Sequence, residues 1–141
     1  MFKRILIATD GSTCSEKAAH LAIELGNSIG AELIAVAVEP EYPGFLFPEY
    51  VIEDIEAAEQ KYANDILAKV IAMAWSKKMR CMVQRVAHEA PYQAILETAK
   101  NLDCDLIVMG SHGRSGIAHI IIGSVAQKVL AHASLPVLVV R

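Results

Sequence analysis

The sequence predicts an α/β fold: a doubly wound, mostly parallel five-stranded sheet with helices on both faces. Three observations lead there. Five short runs rich in Val, Ile and Leu recur along the chain without polar alternation, as strands covered on both faces do. Four segments with apolar residues at helical spacing separate them, and each parallel step needs such a crossover. At 141 residues the chain has room for one domain, 1–141, with a core of ordinary size. Right-handed crossovers suit the strand order 3-2-1-4-5, in which the loops after the first and fourth strands meet where the order reverses.

The first run, residues 5–8, is continuous and β-branched. Thr9-Asp-Gly-Ser12 breaks it, and Thr13 with Glu16 has capping-box spacing. Ala18, Leu21, Ala22, Leu25 and Ile29 follow at helical period, predicting a helix over 14–29. Gly30 stops that helix, and 32–38 reads as a second buried strand. Between about 39 and 51, Pro40, Pro43 and Pro48 stand among Tyr42, Phe45, Phe47 and Tyr50. Three prolines argue against regular structure. The connection is also long for this kind of unit, so it reads as a flap or an interaction surface.

From Ile52 onward, Ile55, Ala58, Tyr62, Ile66, Val70 and Met73 outline a long amphipathic helix. Glu53, Asp54, Glu56 and Glu59 lie in its first half and Lys77, Lys78 and Arg80 towards its far end, an order that complements the helix dipole. A less apolar third strand, 81–86, suits a sheet edge. Pro91 fits the first turn of a helix carrying Ile95, Thr98 and Leu102. Residues 105–109 form the fourth strand. A helix from Gly123-Ser124 to about His132 then presents Ala126, Val129, Leu130 and Ala133 on one side, and 136–140 close the sheet.

Composition narrows the function. An apolar fraction of 54% against 21% charged residues predicts a packed domain rather than a disordered chain. A net charge of −3 supplies no general positive field for a nucleic acid or an anionic membrane. No apolar stretch approaches the ~20 residues of a membrane span, and no signal-peptide pattern follows Met1. Cys14, Cys81 and Cys104 are odd in number and match no paired motif, predicting reduced thiols in a cytoplasmic protein. Cys14, beside the first loop, is the most reactive candidate of the three.

The segment Gly110-Ser-His-Gly-Arg-Ser-Gly116 organises the rest, since it joins the fourth strand to the helix opening near Gly123. Strand, glycine turn and helix N-terminus together make an anion site. Glycine permits φ > 0 and lets a phosphate approach main-chain N–H groups that a Cβ would obstruct. The first N–H groups of the following helix and its positive dipole end face the same point. Read with Ala8-Thr-Asp-Gly-Ser12, the pattern Gly110-x2-Gly113-x9-Gly123-Ser124 resembles the ATP-binding pattern of the universal stress protein family, and the resemblance spans essentially the whole chain. One departure is Glu89, where that family usually places a glycine two residues before Pro91.

The resemblance implies a Rossmann-like domain and a cytoplasmic stress-response or regulatory protein that binds ATP, alone or with Mg2+. Nucleotide occupancy would then modulate conformation or partner binding. It implies that Gly110, Ser111, Gly113, Gly123 and Ser124 hold phosphates through N–H groups and hydroxyls, with Met109 and Val125 beside them. Asp10 would contact the nucleoside end, and the backbone near Ala8, Thr9 and Ala37 would read the adenine edge. Asp10 also suits an ordinary turn before a helix. His112 and Arg114 sit inside the loop, where Arg114 fits a polyphosphate oxygen and both fit solvated positions equally well. A homodimer through the last strand is implied too, since the apolar edge Val137-Leu-Val-Val140 would otherwise invite aggregation.

Binding without catalysis is the expectation, with hydrolysis slow or absent. The chain lacks G-x-x-x-x-G-K-[ST], and no acid, arginine and metal-binding constellation stands out to align water with a γ-phosphate. His20, His119 and His132 have no metal-ligand spacing. Two other classes share the plan. A receiver domain needs a phosphorylatable Asp ending the third strand, which here runs into Val86-Ala-His-Glu. An adenylate-using enzyme, whether a slow ATPase or a nucleotidyl transferase, needs a Ser- and Gly-rich loop after the first strand, of which Thr9-Asp-Gly-Ser12 is a poor version. Release of AMP or ADP, or label transfer, from ATP and magnesium separates it from a binding protein.

Overall fold

Five parallel strands alternate with four helices in the computed structural model, which describes residues 1–113 and 122–141. They are β1 (Arg4–Ala8), α1 (Thr13–Ile29), β2 (Glu32–Pro40), α2 (Glu49–Ser76), β3 (Cys81–His88), α3 (Pro91–Asn101), β4 (Leu106–Gly110), α4 (Ser124–His132) and β5 (Val137–Val140). The sheet order is β3-β2-β1-β4-β5, as the sequence predicts. Side chains alternate across each strand. Ile5, Ile7, Leu33, Ala35 and Val108 therefore face α1 and α2, whereas Leu6, Ala8, Ile34, Val36 and Met109 face α3 and α4. Both layers are apolar, which is why β1, β2 and β4 read as unbroken hydrophobic runs.

α1 lies close to the sheet because its buried face is built from Ala18, Ala19, Ala22 and Gly26. A Cβ on Gly26 would stand 2.8 Å from Leu33 Cδ2. The cap corrects the expected Thr13 and Glu16 box. Ser12 is the N-cap, its hydroxyl accepting from the Ser15 N–H at 3.2 Å while the Ser15 hydroxyl donates to the Ser12 carbonyl at 2.9 Å. Thr13 is already helical.

The irregular connection is shorter than 39–51, because β2 continues through Pro40 and α2 begins at Glu49 behind Pro48. A proline lacking an N–H is tolerated at a helix start, where that donor has no partner anyway. Before α3, His88 closes the turn: its Nδ1 accepts the Ala90 N–H at 2.8 Å. Glu89, the departure from the family pattern, points into solvent.

Two polar fastenings position the strands. Arg85 on β3 pairs through Nε with Glu39 Oε1 at 2.8 Å and donates from Nη1 to Asn64 Oδ1 at 3.2 Å, linking β3, β2 and α2. Asp105 accepts the N–H groups of Lys3 at 2.8 Å and Arg4 at 3.0 Å. Burial alone would raise that carboxyl, but these two donors outweigh it and hold its pKa below the ordinary value. Among the described residues, no helix is long and apolar enough to cross a membrane.

Candidate functional site

A cleft of about 680 Å³ opens beyond the carboxyl ends of β1, β2 and β4, where the strand order reverses and where α/β sheets place their ligands. One wall is Ala8, Thr9 and Asp10; the other runs from Met109 through Gly113, and Ile122 to Gln127 close the mouth at the start of α4. Val36, Val38 and Ile95 add an apolar side.

Eleven of the thirteen candidate residues line this cleft: Ala8, Thr9, Asp10, Met109, Gly110, Ser111, His112, Gly113, Gly123, Ser124 and Val125. Arg114 lies outside the described residues. Ala37 is brought elsewhere, its side chain buried in the layer under α1 and α2. The reason is strand parity. Thr9 donates its N–H to the Val36 carbonyl at 3.0 Å, so the β1-facing polar groups of β2 belong to the even residues, and the next pair past the end of β1 is that of Val38. Val36, Val38, Pro40, Ser15, Pro91, Ile95, Ile122, Ala126 and Gln127 also line the cleft and were not among the candidates. An i, i+2 step from Ala8's neighbour Val36 finds two of them once the register Ala8 to Val36 is known.

The two loops are in direct apposition. A Cβ built on Gly113 would lie 2.6 Å from Asp10 Oδ2, so any side chain there would displace that carboxylate. Asp10 is held from both sides: Oδ1 accepts the Ser12 N–H at 2.9 Å, and its carbonyl accepts the Tyr62 hydroxyl at 2.9 Å. Gly110 answers to packing as well, because a Cβ there would be 2.8 Å from the Cys14 carbonyl carbon and the Ser15 nitrogen. Positive φ was one expected reason for the glycines, yet none of Gly110, Gly113 or Gly123 is in the left-handed region; Gly11 is, at φ 81°.

Two of the expected amide donors are already engaged. Ser111 donates its N–H to the Val140 carbonyl at 2.8 Å, and Gly123 donates to the Ser111 carbonyl at 2.5 Å. The first turn of α4 is different. Gly123 is its N-cap and, being a glycine, offers no side chain to cap it. The N–H groups of Ser124 and Val125 have no intrahelical acceptor by construction, and both residues line the cleft. Beneath the turn, His112 Nδ1 lies 3.1 Å from the Ser111 hydroxyl and 3.8 Å from Cys14 Sγ. The cleft thus combines an apolar lining with the N-terminal turn of a helix.

Known proteins match along the full length of the chain. The model of the universal stress protein family covers residues 1–141. Universal stress protein MJ0531 of Methanocaldococcus jannaschii is 36% identical over 144 residues, spanning 100% of this chain and 83% of that protein. The universal stress protein UspA from Lactobacillus plantarum has the same fold, with TM-score 0.87 at 24% identity over 99% of this chain and 97% of that one. A universal stress protein solved in complex with cAMP aligns with TM-score 0.75 at 26% identity, over 99% and 97%. The chain belongs to the universal stress protein family.

Proposed function

We propose that the cleft is an ATP site, with or without Mg2+, and that this chain is a cytoplasmic regulatory protein whose shape or partner binding responds to nucleotide occupancy. The observation that carries the reading is that the first turn of α4, whose N-cap is a glycine with no capping side chain, lines the same cleft as Val36, Val38 and Ile95. A helix mouth stabilises phosphate oxygens through N–H groups and dipole, and an apolar slot accepts the faces of a purine. The relative solved with cAMP supports an adenine nucleotide.

In this reading Ser124, Val125 and Gly113 supply donors to the phosphates, with the Ser124 hydroxyl adding one more. Asp10 stands at the ribose end. The adenine edge meets the backbone of Val38 rather than that of Ala37, and Ala8 and Met109 form the floor. Gly110, Ser111 and Gly123 shape the turn. His112 flanks it, and Arg114, next to Gly113 in the sequence, would meet a polyphosphate oxygen. Turnover is slow or absent, and β5, an outer strand of the sheet, forms a homodimer with a second copy.

Calorimetric titration with ATP, ADP, AMP and cAMP, alongside mass spectrometry of any nucleotide released on denaturation, tests the reading. Saturable binding of an adenine nucleotide is expected. Absence of binding by all four sinks it, and ADP or AMP formation well above the uncatalysed rate moves the protein to the adenylate-using enzymes.

A further inference from the structure

α2 is much longer than its buried face. Its buried residues are Ala63, Ile66, Leu67, Val70 and Ala74, all in the second half of a 28-residue helix about 42 Å long. The opposite face carries apolar residues that the fold does not use. Tyr50 is 69% exposed and Trp75 67%, and Ile71 is exposed between them with Ala57 and Ala68. These five recur at combinations of three- and four-residue steps, so they share one stripe. At the head of the helix the connection adds Phe45, 87% exposed, with Leu46 and Phe47. The large apolar side chains gather at the two ends of the stripe, with Lys61 and Asn64 between them; such clusters mark contact points, whereas single exposed residues do not.

The stripe is symmetric about its own middle. Tyr50 and Trp75 are equidistant from the point between Tyr62 and Ala63, and so are Ala57 and Ala68. Charge repeats the pattern with opposite sign. Residues 41–60 contain six acids and no lysine or arginine, while 66–88 contain no acid and, besides Arg85, which is paired with Glu39, carry Lys69, Lys77, Lys78 and Arg80. The expected match to the helix dipole covers only part of this order, because the dipole acts in the terminal turns; with α2 beginning at Glu49, Glu56 and Glu59 lie past the first turn and Glu41 lies outside the helix.

We infer that α2 is a second self-association surface, on which two copies pack α2 against α2 antiparallel about a two-fold axis. That arrangement sets Tyr50 of one copy against Trp75 of the other and Ala57 against Ala68. The small pair lets the axes approach, and the aromatic pairs close both ends. Each acidic half then meets a basic half, whereas a parallel arrangement would oppose like charges. A two-fold contact must be self-complementary in this way. An anionic membrane would be repelled by the acidic half. The surface covers β2 and β3 from outside, away from β5, and it depends neither on the proposed nucleotide nor on any contact through β5.

Sedimentation velocity of the intact protein over a dilution series, at low and high salt, tests the inference. Self-association should weaken at least ~10-fold in Trp75→Glu, a change at a buried aromatic contact, with unfolding temperature unchanged because Trp75 is exposed in the single chain. Mixed Ala57→Cys and Ala68→Cys proteins should form a disulfide between the two introduced thiols under mild oxidation, mapped by mass spectrometry, and neither variant alone should link through its new thiol. Self-association indifferent to Trp75→Glu, a protein monomeric throughout, or links between identical positions would overturn it.

Discussion

Tyr62, on α2, donates its phenolic O–H to the main-chain carbonyl of Asp10 at 2.9 Å. A helix on one face of the sheet thereby fastens the loop that forms a wall of the cleft opening towards the other face. Gly11 lies directly beneath the hydroxyl, and its φ of 81° is one that other residues avoid. Tyr62→Phe deletes the donor and leaves the packing of the ring. The expected loss is ~1 kcal/mol of stability, read by urea denaturation, together with a few-fold weaker ATP binding by calorimetry as the Asp10 loop loosens. Unchanged affinity with the stability loss present would confine the contact to the scaffold.

Gly110 and Gly113 separate scaffold from site. At Gly110 a new methyl meets rigid backbone of α1, so Gly110→Ala should cost ~1–3 kcal/mol by overpacking. At Gly113 it meets one carboxylate oxygen of Asp10. Gly113→Ala should therefore leave the unfolding midpoint nearly unmoved and displace Asp10, lowering ATP affinity about tenfold, the equivalent of ~1.4 kcal/mol. Equal effects of the two substitutions on stability would contradict this division.

Ser124 is the first residue of α4 and lines the cleft. Ser124→Ala should weaken ATP binding by ~1–2 kcal/mol without lowering stability, since alanine is the better helix former. Comparable losses for ATP and adenosine in the titration would place the hydroxyl away from the phosphates.

Asp105 supplies the pH dependence. Its carboxyl pKa is held below the ordinary 3.8 in the folded chain by the N–H groups of Lys3 and Arg4, which outweigh the upward push of burial. A depressed carboxyl stabilises the fold fully above its unfolded value, and that contribution disappears as pH falls through the lower folded value. Asp105→Asn should be less stable than wild type near neutrality. Its stability should also fall less steeply below about pH 4, measured as urea midpoints over an acid series. Parallel curves for the two proteins would remove Asp105 from the acid response.

Thiol titration gives a further check on burial. Cys81 and Cys104 are both pushed up to about 11, desolvation being the largest cause in each. Both should therefore stay protonated at neutral pH and react slowly with iodoacetamide. Labelling at the rate of a free thiol at pH 7, followed by peptide mass spectrometry, would contradict their half-buried placement.

The buried strands were legible because each rests on a local signal, an unbroken apolar run. Other features depend on which residues meet across the sheet. Ala37 and Val38 are equally apolar and look alike in sequence, and only the pairing of Ala8 with Val36 decides which one presents its polar groups past β1. The engaged amides of Ser111 and Gly123 depend on partners that are distant or set by the turn itself. Ser12 and Thr13 are adjacent and both good caps, so the start of α1 is settled by the Ser15 contact. Pro40 and Pro48 look like breakers, yet each sits at an element's boundary, where a missing N–H costs little.

The bond from Ser111 to the carbonyl of Val140 makes the outermost strand a tether for the turn. Shortening the chain by its final two residues would leave that buried amide without its acceptor and the turn with one less restraint. A neighbour stacked along β5 would do the reverse, stiffening the tether from outside. Assembly and ligand affinity would then be read through the same peptide group, with no lever or hinge between them.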